Sequence, residues 1–197
     1  MDEPSPLSPL VDALRDLLTW LEEAGAEAVI VGGVACSVLG RPRMTRDIDV
    51  LVLVDESDLL ALLDRARSHE IEPRRADCLE FATRSRVLLL RHRPTGVELD
   101  VILGQLPLER GILERRRSAV VGGLTLPVPT PEDLILLKVL AGRPRDLEDI
   151  RGLLHAHPEL DLGPVRQAVA ELSAALEEPA LERRFEELLR ETGRDTV

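Results

Sequence analysis

Leu7, Leu10, Val11, Leu14, Leu17, Leu18 and Leu21 recur at helical spacing and Gly25 supplies a stop, so the chain opens on an amphipathic helix over Pro6–Gly25. Ala28-Val29-Ile30-Val31 is a short apolar run ending at Gly32-Gly33, and Val34–Leu39, closed by Gly40, reads as a short helix. The order is strand, glycine turn, helix. Asp47–Val54 first alternates acid and apolar residues and then turns wholly apolar, which predicts a central strand with Asp47 and Asp49 on one face.

Ser57–His69 predicts the next helix. Arg86–Arg93 and Val97–Leu103 are β-rich runs joined by Pro94-Thr95-Gly96, the length of a hairpin turn, so they should pair antiparallel, with Asp100 inside the second. Leu106–Arg117 reads as a helix, and Ala119–Val128, broken at Gly122-Gly123, as a hairpin or an edge strand. After Thr130, a fair N-cap followed by Pro131, the pattern becomes helical: Pro131 to Gly142, then Leu147–His155, Gly163–Leu176 and Leu181–Leu189. This predicts an α/β (α+β) fold in which residues 1–128 form a small mixed-sheet core with packed helices and residues 129–197 a helical C-terminal subdomain.

The composition suits a folded chain, with 44% hydrophobic and 31% charged residues. Cys36 and Cys78 stand apart with no CxxC partner, which predicts buried free thiols rather than a metal cage or a disulfide framework. No apolar run approaches the roughly 20 residues that span a bilayer, and the first residues lack the pattern of a signal peptide, so no membrane partner and a cytoplasmic setting are expected. The net charge of −11 works against indiscriminate binding of nucleic acid. Charge is uneven, however: arginines cluster from Arg74 to Arg93 and at Arg115-Arg116-Arg117, while the last stretch is acidic, so an anionic substrate would dock on the centre rather than the tail.

Asp47 and Asp49, two apart on a strand, emerge on one side roughly 7 Å apart along the backbone. Such carboxylates repel and raise each other's pKa unless a cation lies between them, and magnesium takes oxygen ligands. Asp100 has the same acid-in-apolar context on another strand and would complete a two-metal site. Gly32-Gly33 between strand and helix would let backbone N–H groups approach a phosphate. Lys138 is the only lysine among 25 Lys and Arg residues, and a compact ammonium suits a phosphate as a point charge. His155 and His157 lack companion ligands, Ser37 lacks a histidine partner, and the arginine run 115–117 has few aromatic platforms for RNA.

Taken in order, Val31-Gly32-Gly33, Arg43-Met44-Thr45-Arg46-Asp47-Ile48-Asp49-Val50 and Glu98-Leu99-Asp100-Val101 resemble the signature of the polymerase-β-like nucleotidyltransferase superfamily. Pro131–Lys138 with Arg143, Asp146 and Asp149 resembles its AbiEii-type toxin branch. The resemblance implies an NTP as donor, two Mg2+ ions held by Asp47, Asp49 and Asp100, and the glycine pair gripping the triphosphate. It places Arg43 and Thr45 beside the triphosphate, Lys138 on the phosphates, and Asp149 in the nucleotide site. The acceptor would be a hydroxyl of a tRNA end, a protein or a small molecule, with a toxin or antitoxin partner. A protein-nucleotidylating antitoxin and a non-catalytic nucleotide-binding module are the rival readings.

Overall fold

The computed structural model describes residues 8–194. The described residues divide into two compact units: one takes in residues 8–34 and Met44–Val128, the other Ala35–Arg43 and residues 129–194.

The first unit is built on a five-stranded mixed sheet in the order β1-β2-β5-β4-β3. Its strands are β1 (Glu27–Val31), β2 (Asp47–Leu53), β3 (Ile71–Pro73), β4 (Val87–His92) and β5 (Glu98–Gly104). β2 and β5 run parallel, and every other pairing is antiparallel. Strand periodicity sends Ile48, Val50 and Val52 of β2, Leu99 and Val101 of β5, and Leu88 and Leu90 of β4 to one face, where all are fully buried. Each such side chain contributes about 1.5–3 kcal/mol by leaving water.

The helices of this unit are α1 (Ser8–Glu23), α3 (Leu59–Ala66), α4 (Cys78–Ser85) and α5 (Pro107–Glu114), with 3₁₀ turns at Glu56–Asp58 and Arg67–His69 on either side of α3. The short helix α2 (Gly32–Leu39) begins in this unit and ends in the second. Trp20 of α1 is wholly buried and donates its indole N–H to the Leu62 carbonyl of α3 at 3.0 Å, so the sole tryptophan has its polar handle satisfied. α1 ends as its pattern predicts, with Gly25 at φ +67°; Pro6 and Leu7, assigned to this helix from sequence, lie outside the described residues.

Two elements escape the hydrophobic pattern, β3 and α4. β3 has three residues and ends in Pro73, too short for alternation to register, and in α4 only Cys78 and Ala82 are buried. The helix expected over Leu106–Arg117 stops at Glu114, because Arg117 is already paired with Val128 in a separate hairpin of β6 (Arg117–Val121) and β7 (Leu124–Val128). The glycine pair is itself the first turn of α2 rather than a link before it.

The second unit holds α6 (Pro131–Ala141), α7 (Pro144–Ala156), α8 (Gly163–Ala175) and α9 (Ala180–Glu191), around Leu134, Ile135, Ile150, Leu153, Val169, Phe185 and Leu189. α6 starts where its cap predicts: the Thr130 hydroxyl accepts the Asp133 N–H at 3.2 Å, with Pro131 at the first helical position. α7 starts earlier than its apolar pattern suggests, at Pro144, because Asp146 reaches back to accept the Arg143 N–H at 3.1 Å. His157 ends α7 with its ring at 2.6 Å from the Leu39 carbonyl, which gives that histidine a strapping role. Among the described residues no helix is long and apolar enough to cross a membrane.

Candidate active site

The sheet face opposite the buried one changes character along its strands. The register aligns Arg91 of β4, Glu98 of β5 and Asp47 of β2 in one cross-strand row, and Leu89, Asp100, Asp49 and Val31 in the next. Ile102, Leu51 and Val29 form the row after that, and Leu51 and Val29 are buried. The carboxylates therefore occupy the N-terminal ends of the two parallel strands, and the same face turns apolar one row further in. Asp49 and Asp100 are direct partners in the β2–β5 ladder, and Asp47 shares their side.

Gly32 follows β1 with φ +59°, and a Cβ there would overlap the Asp49 carboxylate. Glycine is required at this position both by backbone conformation and by the close approach of the acid. The Thr45 hydroxyl donates to Asp47 Oδ1 at 2.6 Å, ordering the approach to β2.

Asp100 has its pKa raised. Burial is the main cause, the charges of Asp47 and Glu98 add to it, and the Arg74 guanidinium opposes it. Arg74 forms ion pairs with both Asp100 and Glu98. Hard carboxylate oxygens on two adjacent strands, with a cation already resting on one of them, are a donor set that suits a divalent ion. As the side chains stand, no group of three or more His, Cys, Asp or Glu among the described residues is arranged to enclose one. A cleft of about 490 Å³ in this unit opens at the other ends of β2 and β5, beside Leu53 and Gly104, away from the acids.

The second unit carries a chain of alternating charges. Lys138 of α6 is buried and its ammonium lies 2.9 Å from both Asp146 and Asp149 of α7. These acids are three residues apart and so lie on one side of the helix. Asp149 grips Arg43 through both oxygens, at 2.8 Å to Nε and 3.0 Å to Nη2, and Asp146 also accepts Arg143 Nε at 2.7 Å. Burial works against the charge on all three buried members, yet the pairing outweighs it: Asp146 and Asp149 lie below the ordinary carboxylate range and Lys138 above the ordinary ammonium value. The sole lysine thus holds two carboxylates, a task that suits a compact ammonium better than a planar fork. Arg43 and Asp149, with Cys36, Arg41, Glu148 and Gly152, line a cleft of about 350 Å³.

The structure brings Asp47, Asp49, Asp100, Thr45 and Gly32 together in the first unit, with Gly33 next to Gly32 in the same turn. It gathers Lys138, Asp149 and Arg43 in the second. Neither Arg74 nor Glu98 stands out as a site residue in the sequence. Their only signals were a place in the arginine-rich segment and a place beside Asp100. That segment is less available to an anionic ligand than its composition suggests, since Arg74, Arg75, Arg86 and Arg93 are each paired with a carboxylate.

The family model that matches this chain defines its class, enzymes of the nucleotidyltransferase type (EC 2.7.7 type). The chain belongs to the family described as "Nucleotidyl transferase of unknown function (DUF2204)", whose model matches residues 10–188. It is similar in fold to an antigenic nucleotidyltransferase-like protein from Paracoccidioides brasiliensis, at TM-score 0.54 and 21% identity over 88% of this chain and 92% of that one. It is likewise similar to the antibiotic-resistance factor ANT(2'')-Ia in solution, at TM-score 0.60 and 17% identity over 85% and 95% of the two chains. A crystal structure of ANT(2'')-Ia in complex with adenylyl-2''-tobramycin gives TM-score 0.52 and 16% identity over 89% and 98%. No curated protein matches the chain significantly.

Proposed function

We propose that the chain is a magnesium-dependent nucleotidyltransferase that moves an NMP from an NTP to a hydroxyl acceptor. The observation that supports this most is the cross-strand pairing of Asp49 with Asp100, with Asp47 on the same face and Gly32 pressed against Asp49. Two Mg2+ ions held by Asp47, Asp49 and Asp100 would supply Lewis-acid activation of the acceptor hydroxyl and offset charge on the triphosphate and the leaving pyrophosphate.

The remaining roles fall to this chain's own groups. The acceptor oxygen bonds to the α-phosphorus, the bond from that phosphorus to the bridging oxygen breaks, pyrophosphate leaves, and the hydroxyl proton passes to Asp100. Gly32 and Gly33 let the first turn of α2 come close to a phosphate without a side chain in the way. Thr45 orients Asp47 through its hydroxyl. Within the second unit Asp149 fixes the Arg43 fork and Lys138 holds Asp149, and the resemblance would have these residues serve the nucleotide. In this division of labour residues 1–128 carry the metal and donor chemistry, and residues 129–197 form the helical subdomain that serves nucleotide and acceptor.

The AbiEii-type affiliation and a place in a toxin–antitoxin pair belong to the same proposal and rest on Pro131–Lys138 with Arg143, Asp146 and Asp149; a cytoplasmic setting belongs to it too, and rests on the lack of a long apolar run in the sequence. The adenylylated tobramycin bound by ANT(2'')-Ia supports a small-molecule hydroxyl as one acceptor class, beside tRNA ends and protein hydroxyls. The test is incubation with α-labelled NTPs, Mg2+ and separate pools of tRNA, cell protein and aminoglycosides. Label should enter one pool and be lost in Asp49→Ala. Labelling that survives Asp49→Ala, or a protein that binds no NTP with Mg2+, overturns the mechanism.

A further inference from the structure

Arg74 stands just past β3, and its backbone N–H donates to the Leu89 carbonyl at 2.9 Å. This extends the β3–β4 ladder by one row and places Arg74 in the cross-strand row of Leu89, Asp100 and Asp49. From there the guanidinium reaches over β4 to pair one terminal nitrogen with Glu98 and the other with Asp100. The side chain is only 16% exposed. Its Nε is buried with no hydrogen-bond partner, so the acids account for the polar contacts of the fork. Arginine cannot shed its proton to relieve the contact, so Arg74 is a permanent positive charge on the third carboxylate.

We propose that Arg74 is a positioning residue that neutralises Asp100 in the metal-free protein and competes with the divalent cation for it. Metal loading then requires Arg74 to release Asp100 while it keeps Glu98 as its anchor. The proposal rests on the reading of Asp100 as a metal ligand. Its consequence is order: the bare cation meets a site already carrying a positive charge, whereas the cation that arrives with a triphosphate brings the negative charge to offset it. Arg74 thereby links metal binding to nucleotide binding.

The test is Mn2+ titration of the full chain, followed by the electron paramagnetic resonance signal of the free ion, without and with NTP. Arg74→Met should bind Mn2+ about fivefold tighter than wild type when no NTP is present, the size expected for loss of one partly exposed charge contact, and the gain should shrink when NTP is added. Arg74→Lys, which keeps the charge but cannot span both acids, should fall between the two and serves if the methionine variant does not fold, as judged by circular dichroism. Unchanged or weaker Mn2+ binding in a folded Arg74 variant, at a site lost in Asp100→Asn, overturns the role of Arg74 and leaves the metal site standing. Mn2+ binding indifferent to both Asp49→Asn and Asp100→Asn, or no binding at all, overturns the metal-site reading and this proposal together.

Discussion

The carboxylate of Asp49 fills the place where a Cβ on Gly32 would stand. A residue at the end of one strand and an acid on the next are thus fitted to each other, and the acid is held against the first turn of α2. Gly32 cannot gain a side chain without displacing Asp49.

Gly25 provides the control for this pair. Both glycines have positive φ, +67° at Gly25 and +59° at Gly32, but a Cβ at Gly25 meets nothing within 4 Å. Gly25→Ala should cost about 1–2 kcal/mol from backbone strain alone. Gly32→Ala should cost more and also abolish NTP-dependent labelling, because Asp49 must shift. Thermal melting of both variants beside the labelling assay checks this; equal stability losses with activity retained in Gly32→Ala would contradict it.

Lys138→Met leaves Asp146 and Asp149 buried beside each other without the ammonium between them. The expected destabilisation is about 3–5 kcal/mol, the range for breaking a buried ion pair by removing one partner. Lys138→Arg should also destabilise, since a planar fork does not fit a pocket shaped for one ammonium. Adding Asp146→Asn to Lys138→Met should recover part of the loss by removing one of the two buried charges that lost the ammonium, Asp146 keeping only Arg143 as its cation. Urea unfolding of the single and double variants measures each step.

Acid should weaken the second unit through the same network. Asp146 and Asp149 have folded-state pKa values below the ordinary carboxylate value, despite burial, through Arg143, Arg43 and Lys138. A lowered folded pKa means stability that is fully present above the unfolded pKa, near 4, and is lost as pH falls through the folded value. Asp100 has the opposite sign: its pKa is raised, so its charge costs stability at neutral pH and that cost is relieved as pH falls through the raised value. Asp146→Asn and Asp149→Asn should therefore flatten the loss of stability on acidification, and Asp100→Asn should steepen it. Unfolding free energies measured from pH 7 down to 3 give the comparison.

The thiol of Cys36 should be inert in the folded protein. Burial, with the neighbouring Asp149 carboxylate adding to it, pushes its pKa up to about 12 against the opposing charges of Lys138 and Arg43. Cys78 is also raised, mainly by burial. At pH 8 a group with such a pKa is thiolate in roughly one molecule in ten thousand, which leaves little nucleophile. An aromatic disulfide reagent should label neither cysteine quickly in the native state and both in urea. Fast native labelling that disappears in Cys36→Ser would show the pocket to be more open than this.

The local order is legible in the amino-acid pattern: strand, glycine pair, short helix, a strand opening on Asp47 and Asp49, and a hairpin carrying Asp100. Alternation along a strand and the chemistry of turns and caps act over a few residues, so they are legible without the fold. The folded chain alone shows that β2 and β5 run parallel in the register that sets Asp49 opposite Asp100. Folding also brings Arg74, just past the three-residue β3, to Asp100 and Glu98 across an intervening strand. The same holds for Lys138, which faces two carboxylates on the next helix, and for Arg43, which meets Asp149 106 residues away. Register and ion pairing depend on which distant segments the buried apolar face draws together, and no local pattern of polar and apolar residues carries that information. Gly32 shows both at work: the turn was readable from its place between strand and helix, while the carboxylate that forbids any other residue there comes from the neighbouring strand.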